Sequence, residues 1–393
     1  MTVARNLYRF LRGEKYIWLA MCILPIASVL VVYSASGSLA HMARGGNTEF
    51  YLMKHSTVLL IGLMFTYICY RLHYMTFARF SGLLLYFSIF LLLLTMTHGV
   101  EINGARRWLM VPLLDITFQT SDLAKLALIL YLAAQLSLNR QCTKDFRSAF
   151  MPILFPVMVV CALIAPADLS TAAMLFVTCF TMMFIGQVNL KLLASMIAIG
   201  VVIALMLVFW GAYFPEFVRA ETWANRISGF LYGTGDNYQI DQAKIAIAEG
   251  GWTGLGPGNS IQRNFLPSPY ADFIYAIIVE EYGLIGGFAV LGAFMFLFFR
   301  CIGLVTNSPK AFGAIVAIGL SISLTLQALL NMAVSVDLLP VTGLTLPLIS
   351  MGGTSVLFAC ISIGIILSVS RHVEDNKNHG KLHKTEIAYE NTD

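Results

Sequence analysis

The sequence predicts an all-α polytopic membrane protein, with about ten transmembrane helices and a long extracytoplasmic loop between the seventh and eighth. Three observations carry this prediction. Hydrophobic residues make up 58% and charged residues 12% of a 393-residue chain, with a mean hydropathy of +0.77. Apolar runs of roughly 18 or more residues recur along it, and about 20 helical residues cross a hydrocarbon core. One connection, at about 214–270, is far longer than the rest and rich in glycine and charge.

Residues 1–16 form a basic cytoplasmic N-terminus. The spans follow at 17–36, 55–72, 77–97, 119–137, 149–166, 169–187, 191–213, 271–299, 311–335 and 341–370. The first could pass for a signal peptide, ending in Ser34-Ala35-Ser36, but its length and the spans after it favour a retained helix. The fifth and sixth are short and nearly continuous around Pro166, which points to a tight turn. Loop charge sets the orientation. With the N-terminus inside, sixteen Lys and Arg fall in inner segments and eight in outer ones, with Lys125 left within a helix. Both termini are then cytoplasmic. The net charge of +4 is this bias, and no nucleic-acid partner is needed to explain it. The polar tail at 371–393 reads as disordered.

None of the seven cysteines falls in an outer loop, so no disulfide framework is expected. The seven histidines lack metal-ligand spacing, and no organic cofactor is implied. Long loops are commonly functional. The outer one is expected to be partly folded, with Ile240 to Ala248 as a short helix on the membrane surface.

Polar chemistry concentrates at the end of that loop. A Gly- and Pro-rich stretch stops at Tyr270 and a largely apolar helix begins with Asp272 near its first turn. A carboxylate there suits a general base or a cation ligand; it could equally complement the helix dipole. Glu280 and Glu281 lie about 12 Å deeper at the helical rise, and buried ionisable groups are costly unless paired. They are candidate metal ligands with Asp272, or structural partners of another helix. Lys125 needs a counter-ion, for which Asp122 one turn away and Asp272 across the bundle are the candidates. Arg106, Arg107 and Trp108 either anchor an interface or bind a phosphate-bearing headgroup. Near the C-terminus, two prolines and three glycines interrupt an apolar run from Pro340 to Ser355. Such backbone survives at membrane depth only inside protein or along a cavity.

These segments resemble the SEDS family (shape, elongation, division and sporulation proteins), most closely its division members. The resemblance rests on NGARRW at 103–108, FQTSDLAK at 118–125, ADLSTA at 167–172, GWTGLGPGNS at 251–260, LPSPYADFIYAIIVEE at 266–281 and PVTGLTLPLISMGGTS at 340–355. The chain departs from the family pattern at Thr120-Ser121-Asp122, at Ala167 and Ser170, and at Met351.

The resemblance implies a peptidoglycan glycosyltransferase of the inner membrane that polymerises lipid II, the undecaprenyl-pyrophosphate-linked disaccharide peptide, on the extracytoplasmic side. It places the essential aspartate at Asp272 and its lysine partner at Lys125. It also points to Gln119, Ser121, Asn259, Ser260, Ser350, Gly352, Gly353 and Ser355 as substrate-binding, beside Arg106, Arg107 and Trp108. A divalent cation, Mg²⁺ or Mn²⁺, is a candidate cofactor. A class B penicillin-binding protein transpeptidase and other divisome proteins are the implied partners. Elongation-type members share the same motifs. A lipid flippase shares the many spans, but this sequence shows no internal repeat.

Overall fold

The structure, a computed structural model, describes residues 13–37, 48–102, 105–111, 116–138, 150–213, 220–233, 238–308 and 310–390. Eight described helices are long and apolar enough to cross a membrane. They are α1 (Lys15–Ala35), α2 (Thr48–Arg71), α3 (Tyr74–His98), α4 (Thr120–Leu138), α7 (Leu190–Tyr213), α10 (Ile274–Asn307), α11 (Ala311–Ser335) and α12 (Thr354–Glu390). Two shorter apolar helices, α5 (Phe155–Ile164) and α6 (Leu169–Ile185), occupy the fifth and sixth predicted spans. Asp168 caps α6, accepting from the Thr171 amide at 3.1 Å and its hydroxyl at 2.7 Å.

Burial sorts the helices into an inner and an outer set. The apolar windows of α4, α11 and α12 are 67%, 61% and 72% buried, against 17% for α7. Small residues let α2 pack closely on α12 of the inner set. A Cβ on Gly364 of α12 would lie 2.6 Å from the Thr66 carbonyl of α2, and one on Gly62 would lie 2.7 Å from Cys360 Sγ. The Thr66 hydroxyl then reaches the Cys360 carbonyl at 2.9 Å.

Three features go beyond the sequence reading. The α3–α4 connection forms an antiparallel sheet, β1 (Val100–Ile102), β2 (Ala105–Val111) and β3 (Ile116–Gln119), in the order β1-β2-β3. Pairing Trp108 with both Val100 and Gln119 gives this otherwise helical protein a rigid cover at one end. The long loop folds into α8 (Ala220–Tyr232) and α9 (Tyr238–Gly250). α9 contains the expected 240–248 helix, but it packs on α10 through fully buried Ala243 and Ala246. Its end approaches so closely that a Cβ on Gly250 would sit 2.1 Å from the Val279 carbonyl. Finally, α12 continues to Glu390, through the segment that composition reads as disordered. Extending an existing helix avoids the unfavourable nucleation step.

Candidate active site

The site begins with a break in α10. Gly283 has φ +69, a value open to glycine and costly for other residues. The kink frees the carbonyls of the preceding turn, and the glycine-rich loop takes them. The Leu255 amide bonds the Glu280 carbonyl at 2.9 Å and the Gly256 amide bonds that of Glu281 at 3.0 Å. The approach leaves no room for side chains, since a Cβ on Gly254 would lie 2.2 Å from the Glu281 carbonyl.

The two glutamates lock this wrap. Glu280, fully buried, accepts from the Ser260 hydroxyl at 2.5 Å and from the Ile261 and Gln262 amides at 2.7 and 3.0 Å. Glu281 accepts from the Ser34 hydroxyl of α1, which also accepts from Arg263 at 3.2 Å. Both Glu280 oxygens and Glu281 Oε1 are tied up within the fold, and neither glutamate lines the cleft that holds Asp272, so the structure does not bring the three carboxylates together as a metal site. Ser260 braces Glu280, and Asn259 is exposed with its amide on the Leu255 carbonyl at 3.0 Å. Neither borders the cleft described below. The glycine loop shapes the site from behind.

Asp272 precedes this brace by eight residues, on a backbone pinned at three successive carbonyls. Met351 donates its amide to the Tyr270 carbonyl at 2.9 Å. The Ser350 hydroxyl donates to that of Ala271 at 2.6 Å, and the Asn331 side chain to that of Asp272 at 2.8 Å. The broken helix expected between Pro340 and Ser355 is therefore the clamp on the aspartate's loop. Ser350 is part of that clamp and fully buried, not a substrate contact. Gly343 takes the positive φ of +72 that turns the clamp beside Asp272, where a Cβ would make only ordinary contact with Oδ2 at 3.9 Å.

The carboxylate opens onto a cleft of about 840 Å³. Arg107, Trp108 and Gln119 border it from the sheet, Lys54 from α2, Arg226 from α8, and Tyr270, Thr342, Thr345, Gly352 and Gly353 from the loops. Three cationic side chains thus share the cleft with one carboxylate. Burial lifts Asp272 above the usual carboxylate range, Arg107 and Arg226 pull it partly back, and Asp168 adds to the rise.

Arg107 is held for this task. Its Nε donates to the Ala167 carbonyl at 2.9 Å and its Nη1 pairs with Asp168 at 2.9 Å. Arg106, on the other face of the strand, pairs at 3.6 Å with Glu101, and both side chains are about half exposed. Strand alternation separates the two arginines, and only Arg107 borders the cleft. Ser121 is buried and accepts from the Gln119 side chain at 3.0 Å, positioning a cleft residue without lining the cleft.

Lys125 is placed otherwise than as the partner of Asp272. It pairs with Asp122 at 2.8 Å, three residues away on α4, and donates to Gln327 at 3.3 Å. Neighbours at i and i+3 on one helix meet first. With Ser355, the pair borders a separate small pocket behind the cleft. The two spaces meet where the Thr345 and Ser355 hydroxyls lie 3.2 Å apart. Asn103 and Gly104 of the NGARRW motif lie outside the described residues.

Comparison with known proteins settles the family. Residues 14–375 match the model of the FtsW, RodA and SpoVE cell cycle proteins. The chain belongs to that family. It is 34% identical over 348 residues to the "Probable peptidoglycan glycosyltransferase FtsW" of Nitrosococcus halophilus, covering 86% of this chain and 87% of that one. The relative of the same name from Alkalilimnicola ehrlichii is 36% identical over 373 residues, with 91% and 90% covered. Among solved structures, a chain of a peptidoglycan synthase complex that coordinates polymerization and crosslinking superimposes with a TM-score of 0.70. It is 24% identical, with 92% of this chain and 98% of that one covered. RodA of Thermus thermophilus gives 0.64 at 24% identity, with 89% and 95% covered.

Arg226 and Asn331 were not singled out by sequence, and Asp168 was noted only within the ADLSTA motif, with no role in the site. Arg226 looks like any loop cation until α8 brings it to the Val341 carbonyl at 3.1 Å. Asn331 is, with Gln327, one of two amides in an apolar helix, and that cost was its only signal.

Proposed function

We propose that this protein is a peptidoglycan glycosyltransferase that polymerises lipid II into β-1,4 glycan strands for septal synthesis in cell division. The relatives from Nitrosococcus halophilus and Alkalilimnicola ehrlichii are named probable peptidoglycan glycosyltransferases. The single observation that carries the reading is Asp272, fixed by three backbone clamps in a cleft whose other charged side chains, Lys54, Arg107 and Arg226, are cations.

In lipid II the pyrophosphate is α-linked to the anomeric carbon of N-acetylmuramic acid. The 4-hydroxyl of N-acetylglucosamine on a second molecule attacks that carbon from the opposite face. The new C–O bond forms as the bond to the pyrophosphate oxygen breaks, which inverts the centre to β. Asp272 takes the hydroxyl proton. Its raised proton affinity makes it a better base than an ordinary surface carboxylate, and a base of this kind contributes about 10²–10⁴-fold. The remainder comes from alignment of the two lipids and from Arg107, Arg226 and Lys54 facing the charge that develops on the leaving group.

The described residues hold no group of three or more His, Cys, Asp or Glu suited to a metal. The donor set near Asp272 is one carboxylate among cations, which does not fit a resident metal site. A Mg²⁺ or Mn²⁺ would have to arrive on the pyrophosphate, with Asp272 as its single protein carboxylate.

The Lys and Arg distribution favours a cytoplasmic-membrane orientation in which this cleft opens to the outer side, where a class B penicillin-binding protein would crosslink the product. The test is polymerisation of purified lipid II by the wild type alone and with that transpeptidase. Glycan from neither preparation would reject the reading.

A further inference from the structure

α2 carries a histidine inside an apolar span, a costly choice unless the side chain is used. His55 is only 2% exposed, yet it borders the cleft. Its Nε2 lies 2.7 Å from the Ser28 hydroxyl oxygen of α1. Ser28 has one proton, and it goes to the Ile349 carbonyl at 2.8 Å. The short contact to His55 is therefore a bond in which Nε2–H donates and Ser28 accepts. In the neutral ring this tautomer leaves Nδ1 with a free lone pair. That nitrogen has no hydrogen-bond partner among the described residues.

The same contact reaches the catalytic loop. Ile349 precedes Ser350 and Met351, whose hydrogen bonds fix the carbonyls of Ala271 and Tyr270. His55 and Asp272 thus border one cleft and share one scaffold. An acceptor nitrogen so held can read a donor on whatever fills the cleft. The cations of the site cannot, because Lys54, Arg107 and Arg226 are all donors.

Resting on the reading of the cleft as a lipid II site, we propose that His55 is a substrate-binding residue. Its Nδ1 accepts a hydrogen bond from an O–H or N–H donor of the bound saccharide.

The test uses the full-length protein in the Asp272→Asn background, where bound lipid II is not consumed, with Trp108 of the cleft as the fluorescent reporter. Three variants separate the roles. His55→Gln can keep an amide donor toward Ser28 while losing the ring acceptor, and lipid II affinity should fall about five- to tenfold, the scale of one neutral hydrogen bond. His55→Asn places an amide oxygen near the position of Nδ1 and should hold affinity within about twofold. Ser28→Ala cuts the tie to Ile349 and keeps the acceptor, so it should bind more tightly than His55→Gln. With Asp272 restored, His55→Gln should raise KM more than it lowers kcat. Equal lipid II binding by wild-type His55 and His55→Gln would overturn the proposal while leaving the function intact. So would equal losses in all three variants, which would mark His55 as a packing residue. Absence of lipid II binding with His55 in place would remove the functional reading itself, and this inference with it.

Discussion

Arg107 pairs with Asp168 at 2.9 Å while bordering the cleft that holds Asp272. The pair joins strand β2 to the cap of α6, so a cation bordering the cleft is oriented by a carboxylate that does not border it. Asp168→Asn should weaken that hold and leave the cap largely intact, since the amide oxygen still accepts from Thr171. We expect a several-fold rise in KM for lipid II with little loss of thermal stability, checked by steady-state kinetics and a melting curve. A large drop in stability with unchanged KM would reassign Asp168 to the fold.

Burial raises the proton affinity of Asp272 and the two arginines counter it. The base must be ionised to work, so the acid limb of kcat/KM should lie above the ordinary aspartate value of about 3.9. Arg226→Gln removes a cation that favours the charged form. The limb should then move to higher pH, and activity at mildly acidic pH should fall more than at pH 8. A limb that stays or moves down would contradict the assignment.

The same shift has a stability consequence. A carboxylate raised above its unfolded value favours the folded state at low pH, and that contribution is lost as pH rises through the folded value. Ionised Asp272 therefore works against folding at neutral pH. Asp272→Asn should melt higher than wild type at pH 7 and converge with it near pH 4, as followed by thermal unfolding in detergent.

Glu280 serves the loop wrap, and its loss should look structural. Glu280→Ala orphans three donors, each costing about 1–3 kcal/mol when buried without a partner. The variant should be poorly folded at every Mg²⁺ or Mn²⁺ concentration. Restoration of activity by added metal would return Glu280 to a ligand role.

Lys125 and Asp122 form a buried pair whose halves are more costly alone than together. Lys125→Met should lower stability by about 3–5 kcal/mol, and adding Asp122→Leu should restore much of it. If the double variant regains stability without activity, the pair also supports the cleft through Gln327, whose side-chain amide donates to the Thr345 carbonyl at 2.9 Å. If the single variant is as stable as wild type, the pair is not a structural element.

The helices were legible because apolar runs of membrane length have few other uses, and Asp272 was legible because its carboxylate falls where such a run begins. The partners were not. Lys125 could reach either of two aspartates by spacing, and only the folded chain shows the nearer one prevailing. Glu280 and Glu281 read as costly charges, and that reading was sound. Their cost is offset by Ser260, two loop amides and Ser34, all remote in a helical pattern. The sheet escaped notice because its strands are short and flank a glycine. Arg226 and His55 carry no local pattern at all, since each is defined by what the fold brings against it.

The most direct measurement pairs polymerisation with binding in purified Asp272→Asn. The account predicts lipid II binding close to wild type and glycan synthesis reduced by at least about 10²-fold, in a folded protein. Glycan strands made at the wild-type rate, in a preparation free of other polymerases, would contradict it.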